Sequence, residues 1–267
     1  MNQAEEKTTD RDLCPVQIRD LVVGLDGPKI CVPLTGRTEE EILAQAAAAG
    51  EADPDLVEWR VDCFAQYTVR SCIGEILKKL HEILPQFPLL FSYRSEGNGG
   101  YGRSEWGIYA SLLTWAALQK EVDAVDVEGL WLDADTESLI EVIHAAGKPA
   151  IASAHFCGGM PSVEARDEAL TSLRAAGGDI IKLAVTPQSE EDAIELLTWT
   201  YVQTQAADRP LIITGMGEYG KFSRVAGGLT GSALTFASVL DSPSAPGQLS
   251  VEETRHILAQ LSPERKK

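Results

Sequence analysis

Titratable side chains interrupt, end or closely follow short apolar runs in this chain, where packing alone gives no reason for them: Glu58, Arg60, Arg94, His155, Lys182 and Arg224. Lys182 is the most informative. It interrupts IIKLAV (180–185), whose other members are all apolar. Lysine is rarely buried unless it is paired or chemically employed. A buried ammonium tends to lose its proton, and the neutral amine is a nucleophile. Such an amine attacks a ketone and yields a protonated imine, which acidifies the neighbouring C–H. His155 is suited to take that proton and to return one to a departing hydroxyl. Arg60, Arg94 and Arg224 are suited to grip a carboxylate through paired hydrogen bonds. The inventory sums to an imine-dependent elimination on a keto acid. It further expects the Lys182 pKa to be depressed by burial and by those arginines.

Each residue also has a plainer reading. Glu58, Arg60 and Asp62 are spaced by two, which places them on one strand face. Glu58 and Arg60 serve equally well as a structural ion pair. Asp126 and Glu128, also two apart, are candidate partners for Lys182 in a buried charge network. His155 alone is as well explained by a structural role. Met216 is explained by core packing, and the glycine-rich stretches 97–102 and 215–220 by turns. Convergence on one rim is what favours the chemical reading.

That rim needs a scaffold. Apolar runs alternate with amphipathic segments throughout: KICVPL (29–34), DLVEWRV (55–61), PLLFSYR (88–94), AVDVEGL (124–130), PAIASAHF (149–156), DIIKLAV (179–185), PLIITGM (210–216) and SALTFA (232–237). Helical patterns include 38–49, with Thr38 before three glutamates, and 189–205, with Ser189 as N-cap. Near-continuous apolar strands joined by helices form a parallel sheet covered on its outer face. Eight such units close an α/β barrel of the (β/α)8 TIM type, and its functional residues lie at the C-terminal strand ends. An open doubly wound sheet is the alternative, weakened by the lack of a GxGxxG after an early strand. The segment 15–28 reads as an N-terminal β-hairpin turning at Gly24-Leu25-Asp26-Gly27 and covering the bottom of the barrel. Residues 1–14 read as a disordered leader, and 15–267 as a single domain.

Composition narrows the partners. The 267 residues carry a formal charge of −17, which argues against nucleic acid and against an anionic membrane surface. An anionic substrate would need local arginines to overcome that field. Cys14, Cys31, Cys63, Cys72 and Cys157 are scattered without a CxxC, so neither a disulfide framework nor a metal site is indicated. The expected setting is a reducing cytoplasm. No signal peptide or membrane-spanning run is evident.

In its motifs the chain resembles the type I 3-dehydroquinate dehydratases, the Schiff-base class of the shikimate pathway. The resemblance runs from about Val16 to Leu261. It rests on EWRVD (58–62), FSYRS (91–95), the SAH ending at His155, IIKLAVTPQS (180–189), SRVAGGLTGSALTF (223–236) and SAPGQLS (244–250). It implies a TIM barrel, a homodimer, and neither metal nor organic cofactor. The implied reaction removes water from 3-dehydroquinate by syn elimination to give 3-dehydroshikimate. By the same resemblance Lys182 forms the imine, His155 is the general acid–base and Glu58 supports the proton inventory. Arg60 and Arg94 contact the substrate, Arg224 grips its carboxylate, and Met216 packs beside the imine. Ser244 and Gln248 belong to a loop closing over the ring hydroxyls. The chain departs from the pattern in places. Asn98 precedes Gly99–Gly100 where the family commonly has an acidic residue assisting the histidine. Phe156–Cys157 follows His155 in place of Asp-Phe, and Pro33 replaces a small polar residue. Two other readings remain: a different Schiff-base barrel aldolase acting on a keto acid or sugar phosphate, and a ligand-binding relic without activity.

Overall fold

A computed structural model describes residues 13–131, 134–240 and 242–261. Every expected apolar run contains a strand. The chain begins with β1 (Val16–Ile18) and β2 (Leu21–Val23). There follow β3 (Lys29–Leu34), β4 (Leu56–Arg60), β5 (Leu89–Ser92), β6 (Ala124–Glu128), β7 (Ala150–Phe156), β8 (Ile180–Val185), β9 (Leu211–Gly215) and β10 (Leu234–Phe236). Strands β3 to β9 pair in parallel in sequence order, and β10 pairs in parallel with β3. The last gap is bridged where Ala233 N donates to Leu211 O at 2.8 Å. The result is the expected (β/α)8 barrel.

Helices α1 (Glu39–Ala52), α2 (Arg70–Ile83), α3 (Trp106–Ala117), α4 (Thr136–Ala145), α5 (Val163–Ala175), α6 (Glu190–Gln205), α7 (Lys221–Val225), α8 (Gly227–Thr230) and α9 (Val251–Leu261) accompany the strands. Local chemistry starts them where the sequence indicated. Thr38 caps α1 in a capping box with Glu41, and Ser189 Oγ accepts from Asp192 N at the start of α6. Because both faces are covered, residues of β5, β6, β8 and β9 are buried throughout.

The barrel interior is organised in steps of two along each strand, the period at which side chains return to one face. Near the bottom, Cys31, Leu56, Leu90, Ala124, Ile151, Ile180, Ile212 and Leu234 form an apolar cluster. Two residues further along their strands come Glu58, Ser92, Asp126, Ser153, Lys182 and Thr214, all buried. Two further still are Arg60, Arg94, Glu128, His155, Ala184 and Met216. The site is therefore a polar layer resting on an apolar floor.

The hairpin seals that floor: Val16, Ile18, Leu21 and Val23 share one face and join the bottom cluster. Its turn lies elsewhere than expected. Ile18 pairs with Leu21, so Arg19–Asp20 make a two-residue loop with Arg19 at φ 53°. The Arg19 guanidinium donates to Pro85 O and Phe87 O and holds that conformation. Gly24-Leu25-Asp26-Gly27 instead links the hairpin to β3, and a Cβ on Gly24 would stand 2.8 Å from Pro210. Of the expected leader, residues 1–12 lie outside the described residues. Leu13 packs on the core and Cys14 N donates to Asp208 O, so these two belong to the folded body. Among the described residues no helix is long and apolar enough to cross a membrane.

Candidate active site

Lys182 enters the barrel from β8 and is 4% exposed. Its Nζ donates to Asp126 Oδ2 at 3.0 Å and stands 3.7 Å from Glu58 Oε1. The ring of Phe236 covers it at 4.5 Å. The charged groups bonded to or beside this amine are thus two carboxylates: Asp126, one of the two partners that the sequence offered, and Glu58. The cause is height in the barrel: Glu58, Asp126 and Lys182 each lie two residues beyond the apolar floor of their strands, whereas Arg60 and Arg94 lie four beyond it.

Arg94 is the electrostatic hub of the next layer. Its guanidinium donates to Asp126 Oδ1 (2.9 Å), Glu128 Oε1 (3.1 Å) and Ser153 Oγ (3.1 Å). Burial opposes ionisation of Asp126, yet Arg94 and Lys182 together hold its pKa well below the usual carboxylate range. Glu128 is shifted the other way, because burial outweighs the same arginine. Arg60 does not pair with Glu58. It makes two 2.8 Å bonds to Asp62, which lies in a 3-10 turn just past the end of β4. Glu58 instead accepts from Ser92 Oγ at 2.7 Å. The remaining acceptor capacity of Asp62 goes to the backbone N–H groups of Arg94 and Tyr101. This anchors the loop after β5. That loop folds tightly back on its strand: a Cβ on Gly100 would lie 2.2 Å from Arg94 O.

The loop delivers Asn98 to the C-terminal end of β7. Its Oδ1 accepts from the backbone N–H of His155 at 3.2 Å, and its Nδ2 donates to Ser95 Oγ. The imidazole itself is left without a partner at Nδ1, an enclosed atom although the residue as a whole is half-buried. Burial, then Arg94 and Lys182, push the His155 pKa well below 6.5, so the ring is neutral and able to accept a proton.

Arg224 lies on α7 in the loop after β9 and is 3% exposed. It makes only a long contact to Pro246 O at 3.4 Å, and its Nε has no partner. Among the described residues no carboxylate pairs with it, and burial lowers its pKa to about 10. Ser244 and Gln248 hydrogen-bond each other twice at 2.8 Å. Met216 follows β9, tied to Val185 O. With Glu58, Arg60, Arg94, His155, Lys182, Phe236 and Thr214 these residues line one cleft. Every residue that the sequence singled out for the site reaches it.

The match extends beyond geometry. The sequence model described as Type I 3-dehydroquinase covers residues 30–264. The chain belongs to the type I 3-dehydroquinase family. The 3-dehydroquinate dehydratase of Salmonella paratyphi B is 39% identical over 247 residues, 92% of this chain and 98% of that protein. The type I 3-dehydroquinate dehydratase of Clostridium difficile, solved with covalently modified comenic acid, superposes with a TM-score of 0.88 at 34% identity. The match covers 93% of this chain and 98% of that one. The enzyme from Geobacillus kaustophilus also superposes at 0.88, with 30% identity, over 93% of this chain and 96% of that one. The chain is therefore a hydro-lyase of this family.

In this type I 3-dehydroquinase the sequence had marked Asp126 and Glu128 only as possible partners, and had passed over Ser153 and Thr214. A signal for all four was present. Each lies two or four residues beyond the apolar residue that forms the barrel floor on its own strand. Among the described residues no cluster of His, Cys, Asp and Glu is arranged to hold a metal ion.

Proposed function

We propose that the cleft dehydrates 3-dehydroquinate through an imine on Lys182, releasing 3-dehydroshikimate. The observation that carries this reading is a pairing of opposites within one cleft. A buried amine sits on carboxylates at the floor, and a buried guanidinium without a carboxylate stands in the wall. A buried unpaired cation is costly, and a carboxylate substrate would repay that cost at Arg224.

Lys182 attacks the ketone once its proton has passed to a neighbouring oxygen, with Glu58 Oε1 in reach at 3.7 Å. Loss of the carbonyl oxygen as water gives the protonated imine. Neutral His155 removes a proton from the adjacent carbon. The electrons of that C–H bond form the new C=C as the ring C–OH bond breaks, and His155 returns the proton to the departing oxygen. Hydrolysis of the imine regenerates Lys182. Arg60 and Arg94 fix the field around the ring, and the Ser244–Gln248 pair faces its hydroxyls. The aldolase reading gains little from the glycines after β9: a Cβ on Gly227 would stand 2.9 Å from Pro28 and 3.1 Å from Ser232 O, so close contact accounts for that glycine.

Turnover by the purified wild type and by Lys182→Ala tests the reaction. Formation of 3-dehydroshikimate, followed as the absorbance of its conjugated enone, should appear with the first and vanish with the second.

A further inference from the structure

We propose that Thr214 is a further substrate-binding residue, whose hydroxyl hydrogen-bonds a ring hydroxyl of the substrate. The inference rests on the dehydratase reading above and extends it to a residue with no role there. Thr214 is 5% exposed and lines the cleft, yet its Oγ1 is buried with no hydrogen-bond partner among the described residues. A buried hydroxyl left unpaired is destabilising, and its neighbours do not account for it. Thr214 belongs to the layer of Glu58, Asp126 and Lys182, two residues above Ile212 of the apolar floor.

Position decides what it meets. Across the sheet His155 is in register with Ala184, and Ala184 with Thr214. The small methyl of Ala184 leaves room between a histidine on one side and a hydroxyl on the other, and all three line the cleft. Among the described residues the cleft wall therefore carries three buried side-chain polar atoms without a partner: His155 Nδ1, Thr214 Oγ1 and Arg224 Nε. Arg224 suits the carboxylate and His155 suits the moving proton. A polyhydroxylated ring still needs partners for its hydroxyls, and Thr214 supplies one that both donates and accepts.

The test compares Thr214→Val, which keeps shape and removes the hydroxyl, with Thr214→Ser, which keeps the hydroxyl. Loss of one such bond should lower kcat/KM for Thr214→Val about 3- to 10-fold, with Thr214→Ser near wild type. An analogue lacking the contacted hydroxyl should be bound equally by wild type and Thr214→Val. Borohydride trapping on Lys182 should persist in both variants, which separates weakened substrate contact from lost chemistry. Equal kcat/KM for wild type and folded Thr214→Val would overturn the proposal while leaving the dehydratase reading intact. A fall shared by Thr214→Ser would also overturn it, by tracing the effect to the methyl group. A wild type that neither turns over nor traps the substrate would overturn both.

Discussion

Lys182 and Arg94 share one carboxylate: Asp126 takes Lys182 Nζ on Oδ2 at 3.0 Å and Arg94 Nη2 on Oδ1 at 2.9 Å. Ser153 Oγ adds a third donor at 2.6 Å. Asp126 is fully buried, so these charges have no water to fall back on. Asp126→Asn keeps the shape and removes the charge that both cations face. It should cost about 3–5 kcal/mol of stability and reduce turnover sharply. Urea denaturation checks the first part, and an unchanged midpoint would show the network to be energetically idle.

His155 gives a pH signature. Its pKa in the folded protein lies well below 6.5, close to where the unfolded chain titrates. Between those two values the unfolded state binds a proton that the folded state does not. Stability therefore falls as pH drops through 6.5 and continues to fall until the folded pKa is reached. Urea midpoints measured from neutral pH downward should decline in the wild type, and His155→Gln should decline less over the same range. The rate should likewise keep His155 in its basic form at pH 6.5. His155→Ala should lower kcat about 10²- to 10⁴-fold.

Arg224, buried and without a carboxylate partner among the described residues, should trade stability for binding. Arg224→Met removes a buried cation with no carboxylate partner, so its melting temperature should match or exceed that of the wild type. Hydrogen bonds to a charged group contribute about 1.5–3 kcal/mol, so KM should rise about 10- to 100-fold. A variant that melts lower with KM unchanged would make Arg224 a structural residue.

The hairpin is a plug with no part in the chemistry. Ile18 is 1% exposed against the barrel floor, and Ile18→Ala should cost about 2–4 kcal/mol. Its kcat and KM below the melting transition should remain those of the wild type. A shift in KM would mean that the floor positions the polar layer above it.

Much of this was legible in the sequence because strands and chemistry share one spacing. Apolar runs located every barrel strand, and the titratable residues within or at the end of five of them marked the site. What escaped depended on register between strands distant in sequence. Glu58 and Arg60 are neighbours on paper, yet Glu58 turns to Lys182 and Ser92 while Arg60 turns to Asp62. Nothing local reveals that choice, because it depends on which side chain of the adjacent strand arrives at the same height. The hairpin turn misled for a different reason. Gly24-Leu25-Asp26-Gly27 has turn composition, but the pairing of Ile18 with Leu21 places the reversal at Arg19, a residue without turn preference held by Pro85 and Phe87 carbonyls. Asn98, noted as a departure from the family pattern, acts through a backbone N–H of His155 that no sequence pattern records.

The imine on Lys182 is tested most directly by incubation with 3-dehydroquinate, reduction with borohydride and peptide mass spectrometry. A mass increase confined to the peptide carrying Lys182, absent from Lys182→Ala, is the result expected. A folded protein that turns over the substrate yet yields no adduct at Lys182 would contradict it.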